Sequence, residues 1–312
     1  MSSASLPPLR LCLISDGKAG HTTQLRGLQA GLAQHFQISA ELIETNLGLW
    51  PCVNVLRQWT REFKGQRVLV AGVGGDTWRY LVLAKKIFGL HTLVLLRPRF
   101  WPDAWFDHIV VPRHDELAEG GHIIVTEGVL NPMLPATAPD PNAGLILIGG
   151  PSKHHDWDGD ALLSQIAFVV KSESNKQWHL TTSRRTPPDF IAQLSALNLP
   201  HLTIVPVDET PPDWVKKRLL SSEVVWVTED SMSMIFEGLS AGIQVGLLTL
   251  PRSRTGRVIR SIDDLIERQL VTPITIYQKT NQLLSARPPL QEARRVADII
   301  APKLLLLNAG NA

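Results

Sequence analysis

An acid, a hydroxyl and a glycine stand together where residues 224–245, VVWVTEDSMSMIFEGLSAGIQV, pass from an apolar run into a helix-forming one. Val224, Val225, Trp226 and Val227 suit a strand covered on both faces, the pattern of parallel sheets. Thr228, Glu229, Asp230 and Ser231 supply amino-terminal cap chemistry, a helix is expected over residues 231–239, and Gly242 sits where a left-handed carboxyl cap would end it. The free amides and positive dipole end of such a helix attract an anion, most simply a phosphate. The competing reading is that Asp230 and Ser231 only cap the helix, and this segment alone does not decide between the two.

Three other glycine-bearing turns offer related chemistry. Residues 148–160, IGGPSKHHDWDGD, end a strand with Gly149 and Gly150 and follow with Ser152 and Lys153, a phosphate cradle with a point-charge cation. In the same stretch His154, His155, Asp156 and Asp158 have metal-ligand chemistry. Alternatively Asp156, Asp158 and Asp160 complement the dipole of a helix beginning near Ala161, the favoured reading because no third spaced ligand group is visible. Residues 15–24, SDGKAGHTTQ, combine Gly17 and Gly20, which permit close backbone approach, with the cation of Lys18 and with His21 at a helix start. His21 or Asp16 is the candidate general base, against plainer roles for His21 as a polar cap and for Asp16 as an acceptor for the loop amides. Residues 71–77, AGVGGDT, bring Gly74, Gly75 and Asp76 into a similar turn that has no Walker lysine and no complete dinucleotide fingerprint. Finally, residues 182–187, TSRRTP, place Arg184 and Arg185 after a strand, where forked donors suit a diphosphate and solvated surface charge is the alternative.

Such loops need strands to carry them. Apolar runs predict strands at 9–15, 38–44, 67–73, 91–96, 108–111 and 122–125, with helices at 22–34 and 77–88. A proline-rich, aperiodic stretch at 131–143 reads as a linker. Strands then follow at 145–148, 178–181, 202–205, 224–227 and 245–248, with helices at 161–171, 190–197, 214–220 and 262–268. Alternation of strand and helix in both halves predicts an α/β chain of two Rossmann-like parallel-sheet domains, residues 1–135 and 144–290. A C-terminal helix within 291–312 is expected to pack back on the first domain. In open sheets of this kind ligands bind at the carboxyl ends of the strands, where all of these loops fall.

Composition narrows the function classes. The 312 residues carry 31 Lys and Arg against 29 Asp and Glu, a formal charge of +2, so no basic field points to nucleic acid. Cys12 and Cys52 are the only cysteines, which excludes a disulfide framework and a cysteine-rich zinc site and fits a reducing compartment. MSSASLPPLR runs into a strand without a secretory apolar region, and there is no 18-residue apolar span, so a cytoplasmic protein is expected. Residues 47–64, LGLWPCVNVLRQWTREFK, mix Trp50, Leu56, Trp59 and Phe63 with Arg57, Arg61 and Lys64. They suit either peripheral contact with anionic lipid or a helix laying its apolar side on the sheet. Trp101 and Trp105 either stack on a sugar or fill core. Arg252, Arg254, Arg257 and Arg260 follow the last strand, either closing over a ligand or standing as surface charge.

The motifs SDGKAGHTTQ, FDHIVVPRHD (106–115), GGPSK, TSRRTP and VTEDSMSM, in that order from residue 15 to about residue 250, resemble the bacterial relatives of the plant mitochondrial-fission Elm-type proteins. That resemblance implies a branch of the glycosyltransferase-B superfamily, with two Rossmann-like domains facing a cleft. A narrower resemblance, to the lipid-II-type N-acetylglucosaminyltransferases, rests on His21 after Gly20, on Gly74 and Gly75, and on Ser231, Glu237, Ala241 and Gly242. It implies that Glu237 binds a nucleotide ribose and Ser231 the phosphate region, with Gly149, Gly150, Ser152, Lys153, Arg184, Arg185 and Asp230 completing the donor site. Gly242-Ile243-Gln244 departs from the Gly-Lys-Pro common there. The implied function is metal-independent transfer of a sugar from a nucleoside-diphosphate donor to a cell-envelope or lipid-linked acceptor, with no cofactor beyond the nucleotide sugar. A nucleotide-sugar 2-epimerase and a noncatalytic scaffold of the fission type are the alternatives.

Overall fold

A computed structural model of the chain describes residues 5–45 and 48–307. Leu47, the first residue of the tryptophan- and arginine-bearing stretch, lies outside them. By contacts the chain forms two compact units, residues 1–132 with 291–312, and residues 133–290.

In the first unit β1 (Pro8–Ser15), β2 (Gln37–Glu44), β3 (Val68–Val73), β4 (His91–Leu95), β5 (His108–Pro112) and β6 (Ile123–Thr126) pair in parallel in the order β2-β1-β3-β4-β5-β6. α1 (Ala19–Leu32), α2 (Leu49–Glu62) and α3 (Trp78–Lys86) form the crossovers between the first four strands. Alternation splits the core between two faces: Leu9, Leu11 and Leu13 pack with Leu25 and Leu28 of α1, and Cys12 and Ile14 with Leu56 and Trp59 of α2. β3, VLVAGV, is buried at all six positions, as a central parallel strand must be. α10 (Glu292–Leu305) lies against α1, whose Gly31 has no room for a Cβ beside the carbonyl of Ala293.

The second unit contains β7 (Asp140–Leu147), α4 (Gly159–Ser172), β8 (Gln177–Thr181), α5 (Phe190–Ala196), β9 (Leu202–Val205), α6 (Trp214–Ser221), β10 (Ser222–Thr228), α7 (Met232–Ala241), β11 (Gln244–Leu248), α8 (Arg257–Glu267), β12 (Thr272–Pro273) and α9 (Ile274–Thr280). Its parallel sheet runs β12-β11-β10-β7-β8-β9, a doubly wound order in which the chain reverses direction between β7 and β10. The corresponding reversal in the first unit lies between β1 and β3.

Three local expectations needed revision. β7 begins at Asp140, inside the stretch read as linker; residues 140–142, Asp-Pro-Asn, are exposed, so they carry no burial pattern, yet Asp140 pairs with Ser222. β12 has two residues, too few for any periodicity, and α8 starts at Arg257 rather than near Ile262. α2 settles the choice left open for its segment: Cys52, Leu56 and Trp59 are buried while Arg57 and Arg61 point outward. The helix has laid its apolar side on the sheet, leaving Trp50, at 74% exposure, as the one large hydrophobic residue in solvent among its described side chains.

Candidate functional site

At the reversal point of the second unit, three loops at the carboxyl ends of β7, β8 and β10 grip one another. The Gly149 amide donates to Thr228 Oγ1 at 2.7 Å and the Gly150 amide to Asp230 Oδ2 at 3.2 Å. The Gly149 carbonyl accepts from the hydroxyls of Ser183 and Thr186. Arg185 donates to the carbonyls of Gly150 and Pro151 at 3.0 and 3.2 Å and to Asp230 Oδ2 at 2.6 Å. A Cβ at Gly149 would fall on the Asp230 carboxylate, and one at Gly150 on the Arg185 backbone, so only glycine lets the loops close this far.

This bonding divides the candidate donor residues into two sets. Gly149 and Gly150 have no amide hydrogen left to offer a phosphate. The Ser152 amide bonds the His155 carbonyl at 2.8 Å and its hydroxyl accepts the amides of His154 and His155, closing a local turn. Asp230 and Arg185 hold each other. Lys153 and Arg184, by contrast, are exposed and form no hydrogen bond or ion pair with any described residue. Ser231 precedes the first turn of α7 without a side-chain cap bond, so its hydroxyl and the first helix amides are available together. Gly242 ends the helix at φ +73°, in the left-handed region.

Glu237, on the second turn of α7, is partly buried and has no hydrogen-bond or ion-pair partner among the described residues. Burial pushes its carboxyl up to about 7 from the ordinary 4.5. A desolvated carboxyl without a partner is a candidate functional group. Gly238 beside it lets α7 press onto Val225 and Val245 of the sheet.

A second layer lies behind these loops, held by contacts between segments that the sequence could not pair. Glu229 is 2% exposed and accepts the Leu250 amide at 3.0 Å and Arg252 Nη2 at 2.9 Å, while Arg252 also bonds Asp263 at 2.7 Å. Arg252 is thereby a tie between loops; the side chain of Arg257 lies outside the described ones. His155 is fully buried, and burial lowers its imidazole below the usual histidine range. Asp158 Oδ1 accepts the Ala161 amide at 3.0 Å and so caps α4, the dipole role expected of that acidic run. Among the described residues no group of three or more His, Cys, Asp or Glu side chains is placed to hold a metal ion.

At the reversal point of the first unit, Asp16 follows β1 with its side chain only 2% exposed. Its Oδ1 lies 2.7 Å from His21 Nδ1 and its Oδ2 2.6 Å from Lys18 Nζ. Burial alone would raise this carboxyl, but the bonds from Lys18 and His21 hold it below the usual carboxylate range. The carboxylate therefore accepts a hydrogen bond from Nδ1–H and leaves His21 Nε2 directed away from it, a geometry in which Nε2 is able to act as a general base. Gly74, at φ +90°, brings the loop after β3 against this pair; a Cβ there would meet Asp16 Oδ2 at 2.8 Å and His21 at 2.9 Å. His21 lies in the first turn of α1, two residues after the helix begins at Ala19. Gly17, Lys18, Gly20, Gly75 and Asp76 are exposed around the pair, and the charge on Asp76 helps to hold the proton on Lys18. Trp101 and Trp105 pack on each other at 5.6 Å and against the core, so they fill space.

The family model described as mitochondrial fission ELM1 matches residues 19–304. No curated protein matches the sequence. Among solved structures, a UDP-GlcNAc 2-epimerase from Methanocaldococcus jannaschii superposes with a TM-score of 0.52 at 10% identity, over 94% of this chain and 99% of that one. Phytolacca americana UGT2, complexed with UDP-2-fluoro-glucose and pterostilbene, gives 0.52 at 9% over 94% and 90%. The UDP-GlcNAc 2-epimerase from Neisseria meningitidis bound to UDP-GlcNAc gives 0.50 at 13% over 95% and 99%. At these identities the likeness establishes the fold, that of the glycosyltransferase-B enzymes.

Proposed function

The chain belongs to the mitochondrial fission ELM1 family, and we propose that it transfers a sugar from a nucleoside-diphosphate donor to an acceptor hydroxyl without a divalent metal. The single observation that carries the reading is the set of groups without a side-chain partner among the described residues: Glu237, Ser231 and the first amides on α7, with Lys153 and Arg184 on the loops after β7 and β8. The helix end and the two cations meet the charge of the departing diphosphate, and Glu237 accepts from the ribose hydroxyls. Solved proteins of the same fold bind UDP-sugars, which supports a nucleotide as the ligand of this unit.

In the transfer step the acceptor O–H gives its proton to His21 Nε2 while the oxygen forms the new bond to the sugar C1. The C1–O bond to the diphosphate breaks, and the nucleoside diphosphate leaves with the electron pair. Asp16 stabilises the imidazolium that results. The acceptor is read as cell-envelope or lipid-linked. Trp50 and Phe100, 74% and 87% exposed, follow β2 and β4 near outward-facing Arg57 and Arg99, and suit peripheral contact with an anionic lipid surface. No helix among the described residues is long and apolar enough to cross a membrane. Cys12 and Cys52 are free and buried, as thiols kept in a reducing cytoplasm are.

A 2-epimerase is the second reading, favoured by the raised carboxyl of Glu237, which is able to move a proton near neutrality. Titration with UDP and UDP-sugars, followed by sugar product analysis, separates the readings. Transferase action predicts that His21→Ala keeps UDP affinity and loses about 10²-fold or more in turnover. Epimerised sugar would replace the transfer reading, and the absence of any nucleotide binding would favour a scaffold.

A further inference from the structure

Asp230 and Arg185 present a puzzle within the proposed donor site, because a site for an anion contains a cation already bonded to one oxygen of a carboxylate. The Asp230 side chain is 0% exposed and the Arg185 side chain 44%. A carboxylate buried this completely persists only when paired and hydrogen-bonded. Oδ2 takes both the guanidinium and the Gly150 amide, and the guanidinium also takes the carbonyls of Gly150 and Pro151. The pair thus closes three loops, from β7, β8 and β10, into one rigid cluster.

Every member of that cluster is a near neighbour along the chain of a group left free. Arg185 follows Arg184, Asp230 precedes Ser231 and the first turn of α7, and Pro151 lies two residues before Lys153. Movement of the pair therefore moves all three. We infer that the Arg185–Asp230 pair is a positioning device: it meets no ligand charge itself but holds Arg184, Lys153 and the amino end of α7 at the spacing a diphosphate requires. The inference rests on the donor reading above. Preorganised charges act at full strength only when their spacing is already that of the ligand.

The sign of one substitution separates positioning from direct contact. Asp230→Asn removes a negative charge and releases Arg185, so a site that merely counts charge would bind UDP more tightly. The positioning role predicts the reverse, a UDP dissociation constant weakened about tenfold or more by calorimetry. Arg185→Lys, which keeps the charge but loses the fork, is expected to show a similar loss, and it serves as the test should Asp230→Asn not fold. Hydrogen exchange at the Gly150 amide should rise in either variant. Unchanged or tighter UDP binding by the folded variants overturns the proposal, as does a lowered melting temperature with UDP affinity intact. Wild-type protein that binds no UDP overturns the donor reading and this inference with it, whereas wild-type binding with unaffected variants overturns this inference alone.

Discussion

Replacing Glu237 by glutamine turns the desolvated carboxyl into a measurement. Burial places its folded-state pKa at about 7 against an ordinary value of 4.5. At about 1.36 kcal/mol per unit the gap amounts to about 3 kcal/mol, an upper bound since the group keeps part of its hydration. The sign follows from proton counting. Between pH 4.5 and 7 the unfolded chain has released this proton and the folded chain still holds it, so the stability it carries is whole below 4.5 and lost as pH rises through 7. Glu237→Gln removes that dependence. Melting curves from pH 4.5 to 8.5 should show the variant gaining on the wild type by about 6 to 12 °C over this range, the shift about 3 kcal/mol produces in a unit of roughly this size. Ligand affinity should respond in the opposite direction. Ribose hydroxyls that donate to the carboxylate must first displace its proton, so wild-type UDP affinity should fall about tenfold per pH unit below 7, and the variant should bind weakly with no such slope. Parallel melting curves for the two proteins would refute the desolvation argument, and a pH-independent wild-type UDP affinity would refute the ribose contact.

Two further outcomes follow from burial and packing. Gly149→Ala places a methyl group on the Asp230 carboxylate and should cost about 1–3 kcal/mol by chemical denaturation, as overpacking does, with UDP binding weakened alongside. His108 is 1% exposed with neither ring nitrogen hydrogen-bonded, and burial, reinforced by His91 and Lys303 nearby, lowers it to about 4 from 6.5. Here the unfolded chain takes up the proton first, so about 3 kcal/mol of stability should drain away as pH falls from 6.5 to 4. His108→Phe should flatten that acid limb in pH-resolved melting curves, and an unchanged limb would show that the histidine is hydrated.

Local chemistry was legible in the sequence wherever the physics is local. The apolar runs of β1, β3 and β10 announced buried strands because a parallel strand covered on both faces has no polar position to spare. Gly242 marked the end of α7 because a left-handed residue there favours glycine. Asp16 and His21 stood out as alternative candidate bases within a single strand-to-helix turn, five residues apart, and the structure joins them as a pair. The structure alone decided which polar groups the protein keeps for itself. Gly149 and Thr228 are 79 residues apart, and Arg185 and Asp230 are 45 apart. Only a sheet that sets β7 between β8 and β10 brings their loops together. For the same reason Gly149, Gly150, Ser152 and Arg185, which read as phosphate ligands in sequence, make hydrogen bonds within the fold, whereas Lys153, Arg184 and Glu237 make none with any described residue. Residue type specifies what a group is able to bond. The order of strands in the sheet specifies which bonding capacity is consumed within the fold and which is left for a ligand.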